Sequence, residues 1–295
     1  MRLLYCIGGG LGNVIHATPA LEALKSLGHD VTVHLTAEWP GTEKLIDHDA
    51  VLTGPLPDLD PFDRVLIAPF AFSGSNEWPK DRPIPDKMRQ GMSPLPGDAT
   101  PEVEFSMWFA RVLGYDGLTP PPQVRHSAET PVEGDYLVIA PGVQRLLPIW
   151  LKKCYPHWGV VVKAFLDKSI QVVVVGAPAD NAPEWDRCVN LCGKTNLWDL
   201  SGVLNGARAV VGVDNGPTCL AAALRRWTVV LWGPTSLTKN RKYGPRVVDL
   251  GAGLPCRPCQ FRPDDFASCR HVNCMKAIEP PMVVRYVMEC WEHPA

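Results

Sequence analysis

"CIGGGLGNVIHATPALEALKSLGH", Cys6 to His29, decides the fold. A short apolar run, Leu3–Ile7, breaks into three glycines; after one more glycine and Asn13 an apolar helical pattern begins. That order is strand, tight turn and helix, with the helix N-terminus turned toward a ligand. It is not a dinucleotide fingerprint. Gly8 and Gly10 fill the first two positions of G-x-G-x-x-G, but the third falls on Asn13. The next strand ends "VHLT", without the acid that would hold a ribose hydroxyl. Read locally, the glycines need do no more than permit a close turn.

The same alternation runs outward from this stretch. "DVTVHLT" (Asp30–Thr36) and "DRVLIAPFA" (Asp63–Ala71) read as strands, Val14–Leu27 and Glu102–Leu113 as helices. Phe72–Thr100 is rich in Pro, Gly and charge, as a functional loop would be. "LTPPPQVRHSAETPVEGD" (Leu118–Asp135) reads as a stiff linker. Beyond it come "YLVIAPG", a helix over Trp158–Leu166, "IQVVVVGAP", the helix "NLWDLSGVLNGA", "AVVGVDNGP", the helix "TCLAAAL", "TVVLWGPT", and a last helix over Pro281–Trp291. Strands alternating with helices give parallel sheets. The expectation is α/β, two consecutive Rossmann-like units with a ligand cleft between them.

Composition narrows the class. Of 295 residues 46% are apolar and 20% charged, ordinary for a globular protein. The formal charge of −2 argues against a strongly nucleic-acid-seeking surface. No apolar run reaches the ~18 residues of a membrane span, and the first residues enter a strand without a signal-peptide pattern. A cytoplasmic protein is expected, with its ten cysteines reduced.

Three clusters carry chemistry. In "VVGVDNGPTCLAAAL" (Val210–Leu224) a strand ends in a polar turn that opens a helix. The N–H groups after Gly216 would suit a phosphate. Asp214 beside them would bind a sugar hydroxyl or a backbone N–H, or cap the helix. Gly142 and Val143 in "IAPGVQ" form a second loop of this kind, followed by Lys152 and Lys153, either pyrophosphate ligands or solvated surface. "KNRKYG" (Lys239–Gly244) is a third basic segment with the same ambiguity. Cys256, Cys259, Cys269 and Cys274 make C-x2-C-x9-C-x4-C, a spacing for a structural zinc or for packed free thiols.

The motifs "GLGNVIHATPALEALKSLG", "KCYP", "GVDNGPTCLAAAL", "VVLWGPT" and "CRPC…CMKAIEPPMV", in that order over nearly the whole chain, resemble glycosyltransferase family 9, the heptosyltransferase family of lipopolysaccharide synthesis. The resemblance implies a GT-B fold. Residues 1–130 would form an acceptor-side domain and 131–280 a domain for a nucleotide-diphosphate sugar such as ADP-heptose, and the helix in 281–295 would pack back on the first. It implies inverting, metal-independent transfer to a glycan or lipid-linked hydroxyl, in the cytoplasm or peripheral to the inner membrane. Lys153 matches the phosphate-contacting Lys. Asp214, Asn215, Gly216 and Pro217, with Gly142 and Val143, fall on the donor side, Gly10 and Gly12 on the acceptor side. Two positions depart from the pattern. Asn13 stands where the family carries an Asp proposed as general base, leaving His16 as a candidate, and Cys219 stands where it usually carries His. Two rivals follow: a degenerate, non-catalytic nucleotide or glycan binder, and a GT-B enzyme acting on modified DNA bases through the basic segment Lys239–Lys242.

Overall fold

The computed structural model describes residues 1–36, 39–72, 100–143, 145, 148–180 and 187–293. The expected loop Phe72–Thr100 therefore lies almost wholly outside the described residues. The chain divides into two compact units, Met1–Arg125 and His126–Ala295. The division falls inside the expected linker, a little before residue 130.

In the first unit four parallel strands, β1 (Arg2–Ile7), β2 (Asp30–Leu35), β3 (Val51–Leu52) and β4 (Arg64–Ile67), lie in the order β3-β2-β1-β4. β1 is central, and its side chains alternate between two layers, as the two-residue period of a strand dictates. Leu3, Tyr5 and Ile7 join a core with Val14, Ala17, Leu21, Leu24, Met107 and Phe109, while Leu4 and Cys6 join Val65, Ile67 and Ala71. The first of these layers is built by helices α1 (Leu11–Ser26) and α3 (Glu102–Val112); the short α2 (Thr42–Leu45) lies between them in sequence. α1 tolerates Pro19 in its interior because the Thr18 hydroxyl donates to the Ile15 carbonyl at 2.9 Å. A proline supplies no N–H for that carbonyl.

The second unit has six parallel strands: β5 (Tyr136–Ala140), β6 (Gln171–Val174), β7 (Val189–Asn190), β8 (Ala209–Val213), β9 (Thr228–Trp232) and β10 (Val247–Gly251). Their order is β10-β9-β8-β5-β6-β7. β5, β8 and β9 are buried along their whole length, which is why they read as unbroken apolar runs. β10 is a half-buried edge, too mixed in pattern to be foreseen. Around the sheet are α4 (Trp158–Leu166), α5 (Leu197–Gly206), α6 (Gly216–Ala223), α7 (Leu237–Asn240), α8 (Pro263–Ser268), α9 (Asn273–Lys276) and α10 (Pro280–Glu292). Val283, Val287 and Cys290 of α10 belong to the core of this unit, with Val161 and Phe165 of α4.

Both sheets reverse their winding once. In the first unit the reversal lies between β1 and β4, in the second between β5 and β8. In open α/β sheets ligands bind outside the carboxyl ends of the strands at such points. The chain after β1 is the glycine turn, and the chains after β5 and β8 carry Gly142 and Asp214.

Gly212 lets β8 lie close to β5 and α6. A Cβ there would stand 2.6 Å from the Ala140 carbonyl oxygen and 2.7 Å from Thr218 Cγ2. Gly212→Ala is expected to cost on the order of 1–3 kcal/mol through overpacking, measured as a lowered denaturant midpoint; unchanged stability would contradict this packing.

Candidate active site

Asn215 builds the turn after β8. Its Oδ1 accepts from Thr218 N at 3.1 Å, capping α6, and its Nδ2 donates to the Ala140 and Gly142 carbonyls, each at 2.9 Å. The side chain thus stitches the β5 and β8 ends together. The N–H groups expected for a phosphate are largely committed elsewhere: Pro217 has none, Thr218 N bonds to Asn215 Oδ1, and Cys219 N bonds to the Asn215 carbonyl. Gly142 has a close neighbour, since a Cβ there would stand 2.1 Å from the Asp180 carboxyl. Val143 is buried in the core.

Charge at this site comes from side chains. Asp214 is 5% exposed and does not cap the helix. Lys242 Nζ donates to its Oδ1 at 2.6 Å, and Asn240 Nδ2 donates to its Oδ2 at 3.2 Å. Lys153 Nζ donates to the Asp214 backbone oxygen at 2.6 Å and stands 3.7 Å from Oδ2. Burial alone would raise the Asp214 pKa, but the charges of Lys242 and Lys153 and the Lys242 hydrogen bond overcome it, holding the carboxyl well below its usual range. Lys153 is shifted down, by burial first and by repulsion from Lys242, against the opposing pull of Asp214. Two ammonium groups against one carboxylate leave an excess of positive charge at the reversal of the sheet.

Lys242 belongs to this candidate site and was not singled out from the sequence. It was visible as part of a basic segment, but its partner lies 28 residues away in the chain. Its burial, with that of Lys239, gives the DNA reading no support from these two lysines: Lys242 meets Asp214, and Lys239 lies over the Phe261 ring at 4.8 Å. Lys152 turns away from its neighbour Lys153 and donates to the Phe266 and Ala267 carbonyls. Cys219 is buried.

In the first unit, Gly9 at φ +79° makes the turn after β1. Asn13 faces back into it: Oδ1 accepts from Gly10 N at 2.9 Å, and Nδ2 donates to Glu102 Oε1 at 2.5 Å. His16 is 2% exposed, not on the helix surface, and its Nδ1 stands 3.7 Å from the same Glu102 oxygen. Gly12 has open space where a side chain would begin. Glu102 was not foreseen as a site residue, although its helix was.

The four cysteines line one cavity of about 310 Å³, together with Lys152, Arg257 and Phe266. Burial raises the Cys259 and Cys274 thiols. Among the described residues no three His, Cys, Asp or Glu side chains are grouped to hold one metal ion, so the expected structural zinc is not shown by this arrangement. No step below is routed through it.

Residues 114–269 match the family model for glycosyltransferase family 9 (heptosyltransferase). The chain belongs to glycosyltransferase family 9. Among curated relatives it is similar to lipopolysaccharide heptosyltransferase 1 of Pseudomonas aeruginosa, 33% identical over 121 residues, 37% of this chain and 33% of that protein. The matched stretch thus spans about a third of the relative's length. Among solved structures it is similar to the Escherichia coli ADP-heptose lipopolysaccharide heptosyltransferase II, with a TM-score of 0.71, 19% identity, and coverage of 99% of this chain and 98% of that one. It is also similar to the E. coli heptosyltransferase WaaC with ADP, with a TM-score of 0.65, 20% identity, and coverage of 98% and 100%. The fold is therefore GT-B, as the resemblance implied.

Asp214→Ala would leave two buried ammonium groups without their counter-charge, at an expected cost of about 3–5 kcal/mol. Adding Lys242→Met should recover more than half of the loss in denaturant unfolding; no recovery would contradict the pairing. Because the folded-state pKa of Asp214 is depressed, its contribution is present above the unfolded value of about 3.9 and is lost as pH falls below it. The stability gap between the native chain and Asp214→Asn should accordingly close in acid.

Proposed function

We propose that the chain is an inverting glycosyltransferase of the heptosyltransferase type, which binds a nucleotide-diphosphate sugar on its second unit and an acceptor hydroxyl on its first. The observation that carries this reading is the buried Lys153–Asp214–Lys242 cluster at the reversal of the second sheet. Its excess positive charge suits a diphosphate, and burial strengthens each charge interaction. In the transfer, negative charge grows on the diphosphate as the sugar leaves, and a lysine held beside it stabilises that growth without reorganising. Asp214 keeps the lysines in place. Its carboxylate would also accept from a sugar hydroxyl, the role expected of it from sequence.

ADP-heptose is the donor this reading favours, since one similar structure is described with ADP and another as an ADP-heptose enzyme. The acceptor is a lipopolysaccharide-type glycan, after the names of the relatives. Such an acceptor would place the chain at the cytoplasmic face of the inner membrane as a peripheral protein. Among the described residues no helix is long and apolar enough to cross a membrane.

Calorimetric titration with ADP, UDP, GDP, CDP and dTDP tests the donor site. ADP is expected to bind most tightly. Lys153→Ala should weaken binding by about tenfold or more, the loss of one charge-assisted hydrogen bond of ~1.5–3 kcal/mol. Binding of none of the five, or equal binding by the variant, would overturn the assignment.

A further inference from the structure

Two carboxylates are buried among the described residues, Asp214 in the second unit and Glu102 in the first. Asp214 is bracketed by two ammonium groups, which hold it ionised and make it a poor proton acceptor. Glu102 meets a neutral amide, Asn13 Nδ2, at 2.5 Å and an imidazole nitrogen, His16 Nδ1, at 3.7 Å. From the placement of Glu102 beside the glycine turn we infer that it is the general base of the transfer proposed above, on which the inference rests.

Position supports it first. Glu102 is the first residue of α3, and it meets α1 beside the glycine turn that follows β1. This is the winding reversal of the first sheet, where a ligand of this unit belongs. With its side chain 9% exposed, the carboxylate is shielded from bulk water but not sealed.

Asn13 supports it second. Its Oδ1 is fixed by the Gly10 N–H, so the amide end must face Glu102. An aspartate at residue 13 could not donate to that carboxylate and would set a second negative charge against it. The amide at 13 instead donates to the Glu102 carboxylate and orients it. The base has therefore not been deleted from this turn. It is carried by the neighbouring helix.

The step balances simply. The acceptor O–H gives its proton to the Glu102 carboxylate while its oxygen forms a bond to the anomeric carbon. The bond from that carbon to the diphosphate oxygen breaks, and its electron pair leaves with the nucleoside diphosphate. The proton then passes to water.

Glu102→Gln separates basicity from positioning, because its amide oxygen still accepts from Asn13. The assay is ADP release from ADP-heptose in the presence of a lipopolysaccharide core lacking heptose, with ADP binding and the melting temperature measured in parallel. In Glu102→Gln, kcat is expected to fall by ~10²–10⁴, the usual worth of general-base help. KM for the donor, ADP affinity and melting temperature should change little. The double variant Asn13→Asp/Glu102→Gln should regain at least tenfold in kcat, which a purely structural role for Glu102 would not produce. His16→Gln should keep most of the activity. Glu102→Gln retaining more than a third of kcat, or the double variant recovering nothing, would overturn the assignment. A native chain that binds ADP but transfers nothing would overturn the transferase reading itself and Glu102 with it, an outcome distinguishable from failure of the variants alone.

Discussion

Asp214, buried between Lys153 and Lys242, is the constraint on which the second unit depends. It ties the segment after β5, the end of β8 and the segment after α7 to one point. Removing three charges from water is costly, and their mutual attraction offsets that cost only when the geometry is good. Here the geometry is supplied by the framework. Asn215 bonds the β5 and β8 ends together, and Gly212 lets them approach. What remains is a fixed positive field in a setting that admits little water. The first unit carries a buried carboxylate that meets the amide of Asn13 and stands near the His16 ring. In the proposed transfer the second unit would stabilise departing negative charge and the first would accept a proton.

Much of the fold was legible because it is written locally. β1, β5, β8 and β9 are central strands buried on both faces, so their apolar runs are continuous, and the helix over Trp158–Leu166 shows its period plainly. α1 begins earlier than its apolar pattern, at Leu11, since the turn and the Asn13 cap start the helix before the first core residue, Val14. The edge strand β10 escaped because a half-buried strand has no clear pattern.

The site was legible only in part, and the boundary is physical. Lys153 and Asp214 stood out because each follows a strand and neighbours a turn. Lys242 and Glu102 did not, because their meaning lies in partners 28 and 89 residues away. No local period encodes such pairings. Asn215 was read as a ligand contact, and its side chain also bonds the framework, a role that an amide beside a strand end does not show in sequence. The burial of His16 could not be read locally, because α1 is covered on that side by a helix more than eighty positions later.

The central claim is that a diphosphate completes the charge of the Lys153–Asp214–Lys242 cluster. Without it, burial and Lys242 hold Lys153 below its ordinary value; an anion beside it would restore that value. ADP binding should therefore take up protons at alkaline pH, in the range just below the usual lysine pKa of about 10.4. Calorimetry in buffers of different ionisation enthalpy measures this directly. The account predicts a proton uptake that disappears in Lys153→Met. Binding of ADP with no proton uptake at any pH in that range would contradict it.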